Sequence, residues 1–114
     1  MEVVMKLERI QYALTGENGS RSYTISCEIE GKGRIAEAGD SIDGTLWQMF
    51  ARNFPELNGF HLAKNWCGIK NGESCANVCL SSREKTIYQQ GRAKDSVEAM
   101  ALAIIQGILE IQKR

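Results

Sequence analysis

Asp40-Ser41-Ile42-Asp43-Gly44 and Asp95-Ser96-Val97-Glu98-Ala99 read almost alike, one near the middle of the chain and one near its end. Both follow the pattern Asp, Ser, β-branched, acid, small. In each, the first Asp is placed to cap a helix while the acid three positions on reaches back, which is a capping box. Both acids also sit where the positive end of a helix dipole favours them. The likeness predicts two helices of common origin, each opening at a box.

Outward from the boxes, the pattern continues. Val97, Met100, Ala101, Ile104, Ile105, Ile108 and Leu109 recur at the 3, 4, 7, 8 spacing of one buried helical stripe. Ile42, Leu46, Met49, Phe50 and Asn53 repeat it more weakly, and that helix should stop before Pro55, which disfavours helical geometry at Phe54. Upstream, Leu7 to Leu14 alternates like a strand, and Leu62 to Ile69 does so at the same offset that separates Asp40 from Asp95. Each is followed by a polar turn, Thr15-Gly16-Glu17-Asn18-Gly19 or Lys70-Asn71-Gly72-Glu73. Second strands follow at Tyr23–Ile29 and Ala76–Leu80, and third strands at about Arg34–Ala38 and Thr86–Arg92. The expected fold is α+β, a β-β-β-α module present twice, with repeat 1 over about 7–57 and repeat 2 over about 60–112. Antiparallel strands would join edge to edge, two helices would pack on them, and the halves would be related by a pseudo-twofold axis.

A chain of 114 residues suits one domain with a real core. Hydrophobic residues at 43% and charged residues at 25% are ordinary globular values. Fourteen Lys and Arg against fourteen Asp and Glu leave a formal charge of zero. That argues against a nucleic-acid partner, and no dense basic patch is visible before Lys113-Arg114. No apolar run approaches the roughly 18 residues of a membrane span, so no membrane partner is expected. The opening residues 1–6 lack the features of a signal peptide, which makes a cytoplasmic location the expectation. Cys27, Cys67, Cys75 and Cys79 include no two-residue knuckle spacing. Cys67, Cys75 and Cys79 with the lone His61 form a conceivable zinc set, but reduced core thiols are the simpler reading, and no metal or cofactor is expected.

Self-contained catalysis finds little support. There is one His, no nucleophile elbow, no phosphate loop and no zinc helix, so no catalytic residue is assigned. Gly31-Lys32-Gly33 reads as a hairpin turn, and Tyr12, Tyr23 and Tyr88 as strand packing. Ligand binding fits better. Helix N-termini accept carboxylates, and Asp40 and Asp43 stand where they can hold an ammonium, so an amino acid meets both needs. Capping alone also accounts for these acids. Ala99, Ala103 and Gly107 form a small-residue stripe suited to close approach by the neighbouring helix or by the matching helix of a second copy. Leu102, Gln106 and Trp47 fall outside the buried stripes.

Gly91-Arg92-Ala93-Lys94-Asp95-Ser96-Val97-Glu98-Ala99 resembles the Gly-x-x-x-Asp-Ile-Ile-Glu-Ala signature of the C-terminal regulatory domain of 2-isopropylmalate synthase and citramalate synthase. Ala38-Gly39-Asp40-Ser41-Ile42-Asp43-Gly44 resembles that domain's Gly-Asp-Gly-Pro-Val-Asp-Ala loop, and Phe54 to Leu62 its helix-to-strand connection. The likeness runs in order from Leu7 to about Ile108. It implies an allosteric module that forms a homodimer and binds leucine or isoleucine near the pairing interface. Binding there would feed back on a separate TIM-barrel domain, a transferase condensing acetyl-CoA with a 2-oxo acid in branched-chain amino acid biosynthesis. That barrel is absent from this chain, which alone should not catalyse the condensation. Carried over by position, the effector site would use Gly39, Asp40, Ser41, Ile42 and Gly44, with Leu62, Asn65, Ile69 and Ala76 lining it. Two departures stand out. Asp40-Ser41 replaces the family's Gly-Pro, and Asn65 stands where the family often has Tyr, which removes an aromatic wall from an aliphatic pocket. A structural dimerisation module without ligand is therefore the alternative, and an RNA-binding α+β domain a more distant one.

Overall fold

The computed structural model describes residues 7–15, 22–29 and 32–113. The chain divides into two compact units, Met1–Asn53 and Phe54–Arg114. The first holds β1 (Leu7–Thr15), β2 (Ser22–Ile29), β3 (Gly33–Gly39) and α1 (Ile42–Asn53). The second begins with a 3-10 turn at Pro55–Leu57, followed by β4 (His61–Lys70), β5 (Glu73–Ser81), β6 (Thr86–Ala93) and α2 (Ser96–Gln112). Each unit carries a three-stranded antiparallel sheet, ordered β1-β2-β3 or β4-β5-β6, with its helix packed on the central and last strands. The fold is α+β, with β-β-β-α occurring twice, as the sequence predicts.

Strand pairing supplies a second mark of duplication. Leu7 pairs with Ile29 but Arg9 with Glu28, so Glu8 is an extra residue on β1. Leu62 pairs with Leu80 but Lys64 with Cys79, so Ala63 is an extra residue on β4. The two bulges stand at equivalent places, Glu8 being to Ala63 as Asp40 is to Asp95. A bulge is a specific local device, and its recurrence at one position is hard to obtain from two unrelated sheets. Downstream the offset does not stay constant. The connection from β1 to β2 is longer than the Asn71-Gly72 turn, so Ile25 on β2 matches Ala76 on β5, and Glu37 on β3 matches Gly91 on β6. Asn71 and Gly72 both have positive φ, 54° and 80°, the conformation a tight hairpin requires.

The cores follow this register. Ile25, Cys27 and Ile29 on β2 are buried, as are Ala76, Val78 and Leu80 at the matching places on β5. Leu46, Met49 and Phe50 close the first core from α1. Val97, Met100, Ala101, Ile104, Ile105 and Ile108 are buried on α2, while Leu109 is half-buried. Leu102 and Trp47 are half-buried and Gln106 is exposed.

The small-residue stripe has a different role from the expected helix-to-helix contact. Ala99, Ala103 and Gly107 are buried against their own sheet. A Cβ at Gly91 on β6 would collide with the Ala99 carbonyl oxygen and lie 2.7 Å from the Ala103 amide nitrogen. Gly107 meets Leu80, whose Cδ1 would be 2.6 Å from a Cβ there. Small residues on both sides let the helix backbone settle directly on the strand.

The helix starts also differ from expectation. Asp95 caps α2 as predicted, its carboxylate accepting from the amides of Val97 at 2.7 Å and Glu98 at 3.3 Å. In the first unit, Ser41 caps in place of Asp40, its hydroxyl accepting from the Gly44 amide at 3.1 Å. Ser41 therefore corresponds to Asp95, in step with the match of Glu37 to Gly91 on the preceding strands. The Asp-Ser likeness is one position out of register with the caps, because Ser and Asp are interchangeable there. Finally, α2 has 17 residues and α1 has 12. The additional length packs on the 3-10 turn, where Gln112 donates to Glu56 and Phe54 and Leu57 are buried. That turn consequently belongs to the second unit, whereas the sequence reading extends repeat 1 to about residue 57.

Candidate functional site

The first five expected effector residues lie at the junction of β3 and α1. Gly39 ends the strand, Asp40 and Ser41 form the exposed turn, Ile42 opens the helix half-buried, and Gly44 is exposed in its first turn. Helix geometry leaves the leading amides of α1 without intrahelical acceptors, and only that of Gly44 is taken by Ser41. Asp40 and Asp43 place two exposed carboxylates beside them. One turn thus presents hydrogen-bond donors for an anion and carboxylates for a cation.

Thr45 adds a group that periodicity and motif do not single out. It is buried, and its Oγ1 has no hydrogen-bond partner. A Cβ on Gly39 would collide with this hydroxyl, so glycine at 39 is what leaves room for it. A buried unpaired hydroxyl costs on the order of 1–3 kcal/mol, which is a reason to look for a ligand there. No sequence signal announces it, since Thr on a helix is ordinary until its burial is known.

The other four residues lie on the second sheet, and all share its helix-facing side. The rows are Leu62–Leu80–Ile87, Asn65–Val78–Gln89, Cys67–Ala76–Gly91 and Ile69–Ser74–Ala93. The bulge at Ala63 is what brings Leu62 and Asn65 to one face despite their odd spacing. Their environments differ. Leu62 and Asn65 are half-buried, and the Asn65 amide lies 4.0 Å from Met100 Sδ. Ala76 is fully buried as core between β4 and β6, and Ile69 is 83% exposed near the β4–β5 turn. Because α2 sits mainly over β5 and β6, the strip of β4 holding Leu62, Asn65 and Cys67 is only partly covered. A separate cleft of about 680 Å³ opens beside the β5–β6 turn, lined by Phe60, Arg83, Lys85 and Ile111 among others, and none of the nine expected residues lines it.

The conceivable zinc set does not converge. Cys67 points to the helix side of the sheet, whereas Cys75 and Cys79 share the opposite face. Among the described residues no group of three His, Cys, Asp or Glu side chains gathers to hold a metal. None of the four cysteines is in a disulfide. Burial pushes the Cys27 thiol up from 9.0 to about 11. The folded state holds this proton more tightly than the unfolded state, so its contribution is intact below pH 9 and is lost as pH rises from 9 to 11. Cys27→Ala should flatten the alkaline decline in urea-unfolding stability by on the order of 2 kcal/mol across that interval. Equal slopes for both proteins would show that this thiol does not ionise on unfolding.

No helix among the described residues is long and apolar enough to cross a membrane. No protein-family model matches the chain, and neither does any curated protein sequence.

Proposed function

We propose that this chain is an amino-acid-sensing regulatory module that acts as a homodimer and takes leucine or isoleucine at the β3–α1 turn. The observation that carries the reading is the unpaired, buried hydroxyl of Thr45 beneath Gly39, at the head of a helix flanked by Asp40 and Asp43. The leading amides of α1 would receive the ligand carboxylate, the Asp carboxylates its ammonium, and Ile42 part of its side chain. Leu62, Asn65 and Ile69 offer a second, more apolar strip for a site completed by pairing of two copies. The ligand would favour one placement of the paired subunits, and a tethered condensing domain of the 2-isopropylmalate or citramalate synthase kind would respond to that shift.

Calorimetry and thermal melting of the chain with leucine, isoleucine and valine test the sensing role. Leucine or isoleucine should release or absorb heat and raise the melting temperature. Thr45→Val keeps the shape and removes the orphaned hydroxyl, so it should preserve the fold while weakening that response at least several-fold. No response in the parent chain, or an equal one in Thr45→Val, would refute the site. Sedimentation at tens of micromolar should give a dimer, and a monomer would refute the pairing. The alternative, a dimerisation module without ligand, is favoured by Asn65 in place of an aromatic wall. It is recognised by a dimer in which Ile42→Ala and Asp43→Ala change only stability.

A further inference from the structure

We propose that the face of the second sheet turned away from α2 is a stacking platform for single-stranded nucleic acid. Strand pairing defines the face through the rows Lys64–Cys79–Tyr88, Trp66–Asn77–Gln90 and Gly68–Cys75–Arg92. These alternate with the rows of Val78, Ala76 and Gly91 that face the helix. Trp66 is 58% exposed and Tyr88 is 76% exposed. They stand on opposite edge strands one row apart, about 12 Å between Cα positions by sheet geometry.

The platform is built. A Cβ on Gly68 would come within 2.7 Å of Trp66 Cη2 and 2.9 Å of Cζ2, so the missing side chain at 68 is what lets the indole extend along the sheet. The aromatics are not required by the fold. At the matching places the first module has Gln11 and Arg34, and it forms the same three-stranded sheet. Beside the rings stand Lys64 and Arg92, both exposed and neither in an ion pair among the described residues. Among the described residues the one acid on this face, Glu73, lies opposite Lys70 at the far turn. Between the rings, Gln90 donates to Asn77 at 3.2 Å, leaving the remaining amide groups of both side chains available to base edges.

Exposed aromatics, uncompensated cations and amides on one sheet face are the components that hold single strands, with bases on the rings and phosphates on the cations. An acidic peptide would satisfy the cations but has nothing to stack on Trp66 and Tyr88. A second copy of the same face would bring like charges together. The zero total charge does not oppose this, because the fold gathers Lys64 and Arg92 from distant positions on one surface while their balancing acids lie elsewhere.

The test is fluorescence anisotropy of the full chain with labelled oligouridylate and oligothymidylate of about 12 nucleotides, a length that spans one such site. Binding should weaken steadily with salt. Trp66→Ala and Tyr88→Ala should each weaken it about ten-fold, while thermal melts shift only slightly, since both side chains are more than half exposed. Lys64→Ala with Arg92→Ala should flatten the salt dependence. Preference for oligouridylate would identify RNA, and equal binding single strands in general. No binding, salt-independent binding, full affinity in both aromatic variants, or equal competition by a polyglutamate peptide would overturn the proposal.

Discussion

Gly91→Ala should cost about 3 kcal/mol or more in urea unfolding, a large fraction of the roughly 5–15 kcal/mol that holds a domain folded. The added methyl group meets backbone, the Ala99 carbonyl oxygen and the Ala103 amide, and backbone has no rotamer by which to retreat. Relief requires α2 to lift from β6, which uncovers Val78, Ile87 and Ile104. Gly107→Ala is the informative comparison. There the obstacle is the end of the Leu80 side chain, and alanine raises helix propensity by about 1 kcal/mol, so the net loss should stay below about 1.5 kcal/mol. Equal midpoints for Gly91→Ala and the parent chain would disprove the direct seating of helix on strand.

Phe50→Ala should remove about 3–5 kcal/mol, the largest single loss expected in the first module. Phe50 is fully buried, and with Leu46 and Met49 it supplies most of what α1 offers to β2 and β3. A helix of 12 residues is marginal by itself in water, so its persistence rests on that apolar contact. Gln48→Ala, on the exposed side of the same helix, should stay within about 0.5 kcal/mol. A small effect at Phe50 would mean that the first sheet stands without its helix.

The candidate sites divide along similar lines. The β3–α1 turn is legible because Gly39 to Gly44 is one continuous stretch whose polarity and capping pattern are local properties. Thr45 is not, since an unsatisfied hydroxyl is defined by what surrounds it. Ala76 and Ile69 show the converse. The sequence puts both in one lining set, yet Ala76 is enclosed between β4 and β6 while Ile69 stands open beside the β4–β5 turn. Sequence spacing gives the side of a strand only where no bulge intervenes, as from Asn65 to Ile69, and how far the helix reaches over that side depends on where α2 settles.

From sequence alone came the order of elements, the doubling, the apolar face of each helix and the cap at Asp95. Each of these is written in a periodicity or a short-range hydrogen bond that one segment satisfies by itself. Tertiary structure alone decided that Ser41 takes the first cap, that bulges interrupt the pairing of β1 at Glu8 and of β4 at Ala63, and that the alanine stripe of α2 meets Gly91. It also brought Trp66, Tyr88, Lys64 and Arg92 to one surface. Register between strands and the seating of a helix on a sheet depend on partners far along the chain, and no local pattern carries that information.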